Sequence, residues 1–456
     1  MNLHVQGRAW WSASAVVLMG CAATGAGVNH EPMPIEFDRA GAPDERQQAE
    51  DDRLLAGPVL ERGAYVRAVL HRNRSVEAAR QGWRAAIARV RQSGAFDDPM
   101  VTLEVAPLSI VSSTARFGYA AEVSQRLPWP GKRSLEESAA KAEADAQRSD
   151  YEAARRELAL SASLLYDQYF VAAHSLEING HHVEVMRTMR AAAMAQFESG
   201  RGSAQDSLQA EFELTHMEHD AVVLATQRDV TVAQMNELLH RAPELPLSPP
   251  PRDLPAIPGT ELGDMQHLQG EAVERRPDIA GARQRARAQQ ARAERAGRDA
   301  YPDLTVSTSY NSMWDMPEHR WMLGLSFDLP LQTRRRGGMA DEADAMRAQY
   351  EADASRLSDM ARTQVVVALK HVEESAHVMR LYEERLIPIA RQRVEAARAA
   401  FIASQTPFVA VVDAAKNLRG AELEGQVARA DYQRRRGELD QALGRIPGLD
   451  GSEEAP

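Results

Sequence analysis

WMLGLSFDL, residues 321–329, sets Trp321, Leu323, Leu325, Phe327 and Leu329 on one side of an extended chain and Gly324, Ser326 and Asp328 on the other. Successive side chains of a strand point to opposite faces, so this spacing predicts a β-strand that is apolar on one face and polar on the other. FGYAAEVSQRL, residues 117–127, repeats the pattern: Phe117, Tyr119, Ala121, Val123 and Leu127 face one way, Glu122, Ser124 and Arg126 the other. VTLEVAP at 101–107 and DLTVSTSYN at 303–311 precede these two segments and predict their hairpin partners. Strands of this length with a single apolar face match the ~9–11 residues that cross a bilayer in a β-barrel. Four strands leave two edges whose amides lipid cannot satisfy, so closure has to come from other chains. Three copies would supply twelve strands, above the ~8 of the smallest barrels.

Outward from these strands the chain repeats itself. SVEAARQ at 75–81 matches DIAGARQ at 278–284, and DDPMVT at 97–102 matches AYPDLT at 300–305, both at an offset of 203. AEADAQRSDYEA at 142–153 matches DEADAMRAQYEA at 341–352, and FESGRGS at 197–203 matches FIASQTP at 401–407. Two copies of one unit are predicted, a first at 61–240 and a second at 263–445, joined by a Pro-rich linker at 241–262. Each copy begins with a helix, about 63–94 and about 266–298, passes through its two strands, and continues into very long helices.

Between Ser134 and Phe197 there is no Pro and the only Gly is Gly180, which predicts roughly 95 Å of helix at ~1.5 Å per residue. Leu158, Ala162, Leu165, Tyr169, Ala172 and Leu176 recur at heptad spacing, as do Val365, Leu369, Val372, Ala376 and Met379. The turns at SGRGS (199–203) and SQTPF (404–408) fold each copy's helices into an antiparallel hairpin. Only 5% of residues are aromatic, which suits helices packed through small side chains.

The single cysteine, Cys21, excludes an internal disulfide framework and a four-thiolate zinc site. Arg8 followed by AWWSASAVVLMG (9–20) predicts a signal peptide at 1–20, too short for a transmembrane helix. Leu18-Met19-Gly20-Cys21 is similar to the lipobox of bacterial lipoproteins, which implies lipidation of Cys21; Ala22, where an Asp would imply retention at the inner membrane, implies the outer membrane. Residues 21–60, rich in Gly, Pro and charge without periodicity, are expected to be an extended or loosely docked segment, and 446–456 to be a disordered tail. A net charge of −11 speaks against nucleic acid as a partner. No GxSxG, Walker A or HExxH motif is present, so no enzyme activity is expected and no cofactor or metal is assigned.

This duplicated unit of β-hairpin and long helical hairpin, together with LPWPGKR at 127–133, RRPDI at 275–279 and the tail running from VVDAAKNLRG at 411–420 to residue 444, resembles the outer-membrane factor family typified by TolC over about residues 60–445. The resemblance implies a mainly α fold with a transmembrane β-barrel: a homotrimer whose twelve strands, four per chain, continue into an α-helical coiled-coil tunnel. It also implies passive conduction from an inner-membrane pump, RND type, through a periplasmic adaptor to the exterior, with outer-membrane lipid as a further partner. LPWPGKR is most similar to the heavy-metal-efflux branch; drug efflux and type I protein secretion stay open. A lipid-anchored periplasmic coiled-coil scaffold is the alternative from another class.

In the family, two Asp residues three positions apart follow the second copy's tip turn and constrict the tunnel; here Ala410 holds the first position and Asp413 the second. The resemblance therefore implies Asp413 as the channel constriction, where three carboxylates on a threefold axis would repel one another and attract cations. It implies adaptor docking at Gly200, Gly202 and Ser203 and at Thr406 and Pro407. Lys132 and Arg133, and Arg334, Arg335 and Arg336, follow the second strand of each copy, where contact with phosphate headgroups or plain solvation are both open. His216, His219 and Asp220 share a helix face at a spacing that could ligate a metal, although solvation is the expected state; the pair His181-His182 has no evident partner in the sequence.

Overall fold

The computed structural model describes residues 45–111, 116–200, 202–252, 264–329, 331–403 and 405–449. Cys21, the signal peptide, part of the linker and residues 450–456 lie outside the described residues. The chain divides into two units, 1–49 and 50–456; of the first, only the opening of helix α1 (Glu45–Leu55) is described.

The order of elements is α2 (Arg62–Arg72), α3 (Arg74–Ser93), β1 (Met100–Val105), β2 (Tyr119–Leu127), α4 (Lys132–Glu198) and α5 (Ala204–Leu238). There follow α6 (Met265–Arg275), α7 (Pro277–Arg298), β3 (Leu304–Asn311), β4 (Trp321–Phe327), α8 (Thr333–Leu381), α9 (Ile387–Ile402) and α10 (Phe408–Ala442). Two helices, a hairpin and a long helical hairpin thus occur in that order twice.

Each helix expected as one piece before a hairpin is two. Asn73 stands between α2 and α3 at φ −72°, ψ 125°, accepts the Ser75 N–H on its side chain, and is itself buried. It N-caps α3 while its Nδ2 donates to the Leu238 carbonyl at 3.1 Å, so the break also fastens α5. Arg276 makes the equivalent break because Pro277 pushes its predecessor out of the helical region.

Helix α4 runs 67 residues, about 100 Å at ~1.5 Å per residue, since nothing in it interrupts the hydrogen-bond ladder. The second copy differs at one point. Pro388 lacks an N–H and its ring crowds the carbonyl four residues back; α8 passes into α9 through a π turn, Tyr382–Leu386, that absorbs the misfit.

All five members of the Val365 to Met379 stripe are buried. In α4, Ala162, Tyr169 and Ala172 are buried but Leu158 and Leu165 only partly, and the deepest seam runs through Ala159, Tyr166 and Phe170. Helices α2, α3, α5, α7 and α10 all pack on α4, so its buried arc is wider than a two-helix heptad seam. Leu55 and Leu60 sit in the core with Tyr65 and Tyr166, so within the stretch expected to be extended or loosely docked the described part is helical up to Leu55 and docks here through these two leucines. The expected tail boundary at 446 also moves: Ile446 is 4% exposed and packs in the same cluster.

The sheet has the order β1-β2-β3-β4, every neighbour antiparallel. Val101, Val123, Thr308 and Leu323 form one cross-strand row, and Leu103, Ala121, Tyr310 and Trp321 the next. Among the described residues no helix is long and apolar enough to cross a membrane.

Candidate functional site

Register sorts the sheet into two unlike faces. One carries Val101, Leu103, Val105, Tyr119, Val123, Val306, Trp321, Leu323, Leu325 and Phe327, all exposed. The other carries rows such as Glu122, Ser309 and Met322, or Ser124, Ser307 and Gly324. A Cβ on Gly324 would stand 2.5 Å from Ser307 Oγ, which explains the glycine. At the loop end of the strands, Phe117, Tyr119, Tyr310 and Trp321 form a continuous ring ladder with centroids 5.3–5.8 Å apart. At the helix end Trp129 stacks on Tyr301 at 5.2 Å. Large apolar side chains are thus left in the open between two aromatic bands, a pattern that marks an interaction surface.

LPWPGKR closes the helix end of the sheet onto the second copy. Gly131 takes φ +88°, open to glycine without cost, and Arg298 Nη1 lies 1.4 Å from where a Cβ would be. Lys132 Nζ turns inward and donates to Asp303 Oδ1 and the Tyr301 carbonyl, both at 2.9 Å, with Asp299 at 3.4 Å. Asp303 also accepts from the Trp129 N–H at 3.0 Å and Arg126 Nη2 at 2.7 Å. Lys132 is therefore buried and paired, and its ammonium is not offered to a headgroup. Arg133 instead lies over the Phe96 ring at 3.6 Å. Arg334 and Arg335 are exposed and Arg336 half-buried at the start of α8. The partners Tyr301, Asp303 and Arg298 are the residues sequence reading missed; the repeat aligns AYPDLT with DDPMVT but does not say that it meets LPWPGKR.

At the first tip, Gly200 adopts φ +71° and the Gly202 N–H donates to the Gln196 carbonyl at 3.0 Å, reversing the chain after α4. Ser203 then N-caps α5 in a reciprocal capping box with Asp206. The second tip has no glycine. Pro407 caps α10, Phe401 and Phe408 meet edge-on at 5.4 Å, and Thr406 Oγ1 is buried without a hydrogen-bond partner. Phe408, Val411 and Val412 pack into a tip core with Met186, Met189 and Met217, where methionine fills irregular gaps. This core turns Asp413 outward: it is exposed, and its carboxylate has no ion pair among the described residues. Ala410 is half-buried one turn earlier.

Midway along the helices, polar side chains join the two copies. His182 Nε2 meets Glu422 Oε2 at 2.9 Å, and Arg391 donates to the other carboxylate oxygen at 2.9 Å. The hydrogen bond with His182, aided by Arg391 against the opposing effect of burial, holds the Glu422 carboxyl below its usual range. The partner of His182 thus lies 240 residues away, out of reach of local motif reading. Asp220 receives Arg419 at 3.0 Å and lies 3.3 Å from His216 and 3.6 Å from His219. No group of three metal-ligating side chains converges among the described residues. Deeper still, Arg62 grips Asp167 through two bonds, at 3.0 and 2.9 Å; burial nevertheless pushes the Asp167 carboxyl up to about 6 against the pull of Arg62.

The outer membrane efflux protein family model matches residues 268–445. No curated protein matches the sequence. Among solved structures, the outer-membrane channel OprN superposes with a TM-score of 0.70 at 22% identity, covering 87% of this chain and 92% of that one. CusC, whose structures concern folding and transmembrane channel formation, gives 0.72 at 17% identity over 85% and 92%. The outer membrane protein VceC of Vibrio cholerae gives 0.69 at 17% identity over 88% and 98%. Residues 268–445 thus match the outer membrane efflux protein family model, and over most of its length the chain shares the fold of these outer-membrane channel structures.

Proposed function

We propose that three copies of the chain close their sheets into one twelve-stranded barrel in the outer membrane and that their helices form the tunnel beneath it. The observation that carries this reading is a sheet with a bare apolar face, a polar reverse face and two unpaired edges, β1 and β4. Lipid covers the first, water fills the second, and neighbouring copies pair the third. The duct conducts passively, supplied by an inner-membrane pump through a periplasmic adaptor that engages the turns at Gly200, Gly202 and Ser203 and at Thr406 and Pro407. Heavy-metal cations are the cargo toward which LPWPGKR leans, with drugs or exported proteins as the competing cargoes. Lipid on Cys21 tethers the chain, and Arg133 with Arg334–Arg336 meets the membrane surface, a role from which the inward turn of Lys132 removes that residue.

Asp413, outward-facing and without an ion pair, is the constriction. Three such carboxylates at close quarters favour cations and oppose one another's ionisation. Single-channel recording in planar bilayers tests the reading. Step conductance is expected, with cation preference reduced in Asp413→Ala; unchanged selectivity would remove Asp413 from the constriction. Solubility and a monomeric state without detergent for Cys21→Ser would end the duct reading in favour of a tethered periplasmic scaffold.

A further inference from the structure

Where the sheet meets the helices, a cavity of about 580 Å³ opens between the two copies. Its wall is charged, and most of the charge is matched. Lys132 and Arg126 serve Asp303, while Arg295 lies 3.3 Å from Glu136 and 4.0 Å from Asp299. Arg133, Arg335 and Arg336 remain, and none forms an ion pair among the described residues, although Asp97 and Asp328 lie on the same wall. Two of their donors are buried and unsatisfied: Arg133 Nε and Arg336 Nη1 have no hydrogen-bond partner. Such a donor, cut off from water, is destabilising if nothing meets it. Phe96 fixes the Arg133 guanidinium by stacking, so that donor cannot swing out to water without losing its ring. The same cavity borders the start of α8, where Gln332 makes no side-chain cap and the positive end of a 49-residue helix stays open.

We propose that this cavity takes one phosphate group, with Arg133 and Arg336 as its donors and Arg335 at the mouth. Planar guanidinium forks match phosphate oxygens, whereas three unmatched guanidiniums repel a cation despite the nearby carboxylates. The phosphate could be that of a phospholipid headgroup or free inorganic phosphate; the headgroup source alone rests on the outer-membrane reading above.

The test uses the full chain in a phosphate-free maltoside detergent, with calorimetric titration by inorganic phosphate and native mass spectrometry with short-chain phosphatidylglycerol or a phosphate-free diacylglycerol of the same length. One equivalent per chain is expected for phosphatidylglycerol and none for the diacylglycerol. Binding should weaken at least tenfold in Arg133→Gln/Arg336→Gln and about threefold in Arg335→Gln, an exposed change that spares the fold. Competition between inorganic phosphate and lipid, or lipid binding alone, assigns the site to a headgroup; inorganic phosphate binding alone assigns it to the free anion. No saturable binding of either, or unchanged binding in Arg335→Gln together with the double variant, overturns the proposal. Bilayer conductance of the same preparation separates the two ideas: a non-conducting parent that still binds phosphate sinks the duct and leaves the site standing.

Discussion

In the sheet the large apolar side chains stand in the open, Leu323 at 84% and Leu103 at 76% exposure. In the helices the apolar stripe from Val365 to Met379 is buried, and the core around α4 packs leucine, alanine and tyrosine side chains such as Leu60, Ala162 and Tyr166 out of solvent. The polar groups are reversed as well: Glu422, Asp167 and Asp220 are paired by side chains of other helices, while the polar face of the sheet carries Glu122 without an ion pair among the described residues. One chain thus carries two opposite patterns of burial, which the proposed duct explains by two solvents. The difference teaches that alternation alone does not say which face a strand buries; the medium outside it does.

The largest expected effect lies on the helical side. Arg62→Met leaves Asp167 buried without its cation, and removing one partner of such a pair costs about 3–5 kcal/mol. The raised carboxyl tempers this by taking up a proton, so the loss in urea stability should be smaller at pH 5 than at pH 8; an equal loss at both would mean that Asp167 keeps its charge. Next comes Leu323→Arg, which should cost about 2–4 kcal/mol near a bilayer midplane, read as the urea midpoint of protein folded into vesicles. A change within about 0.5 kcal/mol, the usual result for a watery surface, would break the comparison.

Size changes sharpen it. Ala162→Leu enters a fully packed seam and should cost about 1–3 kcal/mol, whereas Ala121→Leu on the outer face of the sheet should be near neutral. Equal melting shifts for the two would mean that the sheet face is packed against protein. The smallest of the expected losses is at Glu422. Its folded pKa lies below the unfolded value, so its stabilisation is present at neutral pH, above the unfolded pKa, and is lost as pH falls through the folded one. Glu422→Gln should lower stability by about 1 kcal/mol at pH 7, and the melting gap to the parent should close below the ordinary glutamate pKa of ~4.3. A gap that widens on acidification would assign the effect to something other than this carboxylate.

Strands, long helices and tip turns were readable because each rests on local rules: period two at WMLGLSFDL, freedom from proline across α4, and Gly200 in a left-handed turn. The breaks at Asn73 and Arg276 had local signals too, an N-cap residue and a following proline, that the continuous apolar pattern masked. Helix α1 was missed because its apolar residues are few, and Leu55 finds its core only through residues far along the chain. At the candidate sites the readable part was the residue type and the unreadable part was the partner. Lys132 looked like a free interfacial charge until Asp303 and Asp299 met it. The pair His181-His182 looked isolated until Glu422 arrived from α10.

By itself, then, the sequence determined the alternating strands and the uninterrupted run of α4, since periodicity, proline and glycine act within a few residues of where they stand. Only the tertiary structure decided which charges are spent on one another, that LPWPGKR locks onto Tyr301 and Asp303, and that Arg133 Nε and Arg336 Nη1 at the base of the sheet have no hydrogen-bond partner among the described residues. Those outcomes depend on segments some 170 to 240 residues apart arriving at the same place, and no local rule records that meeting.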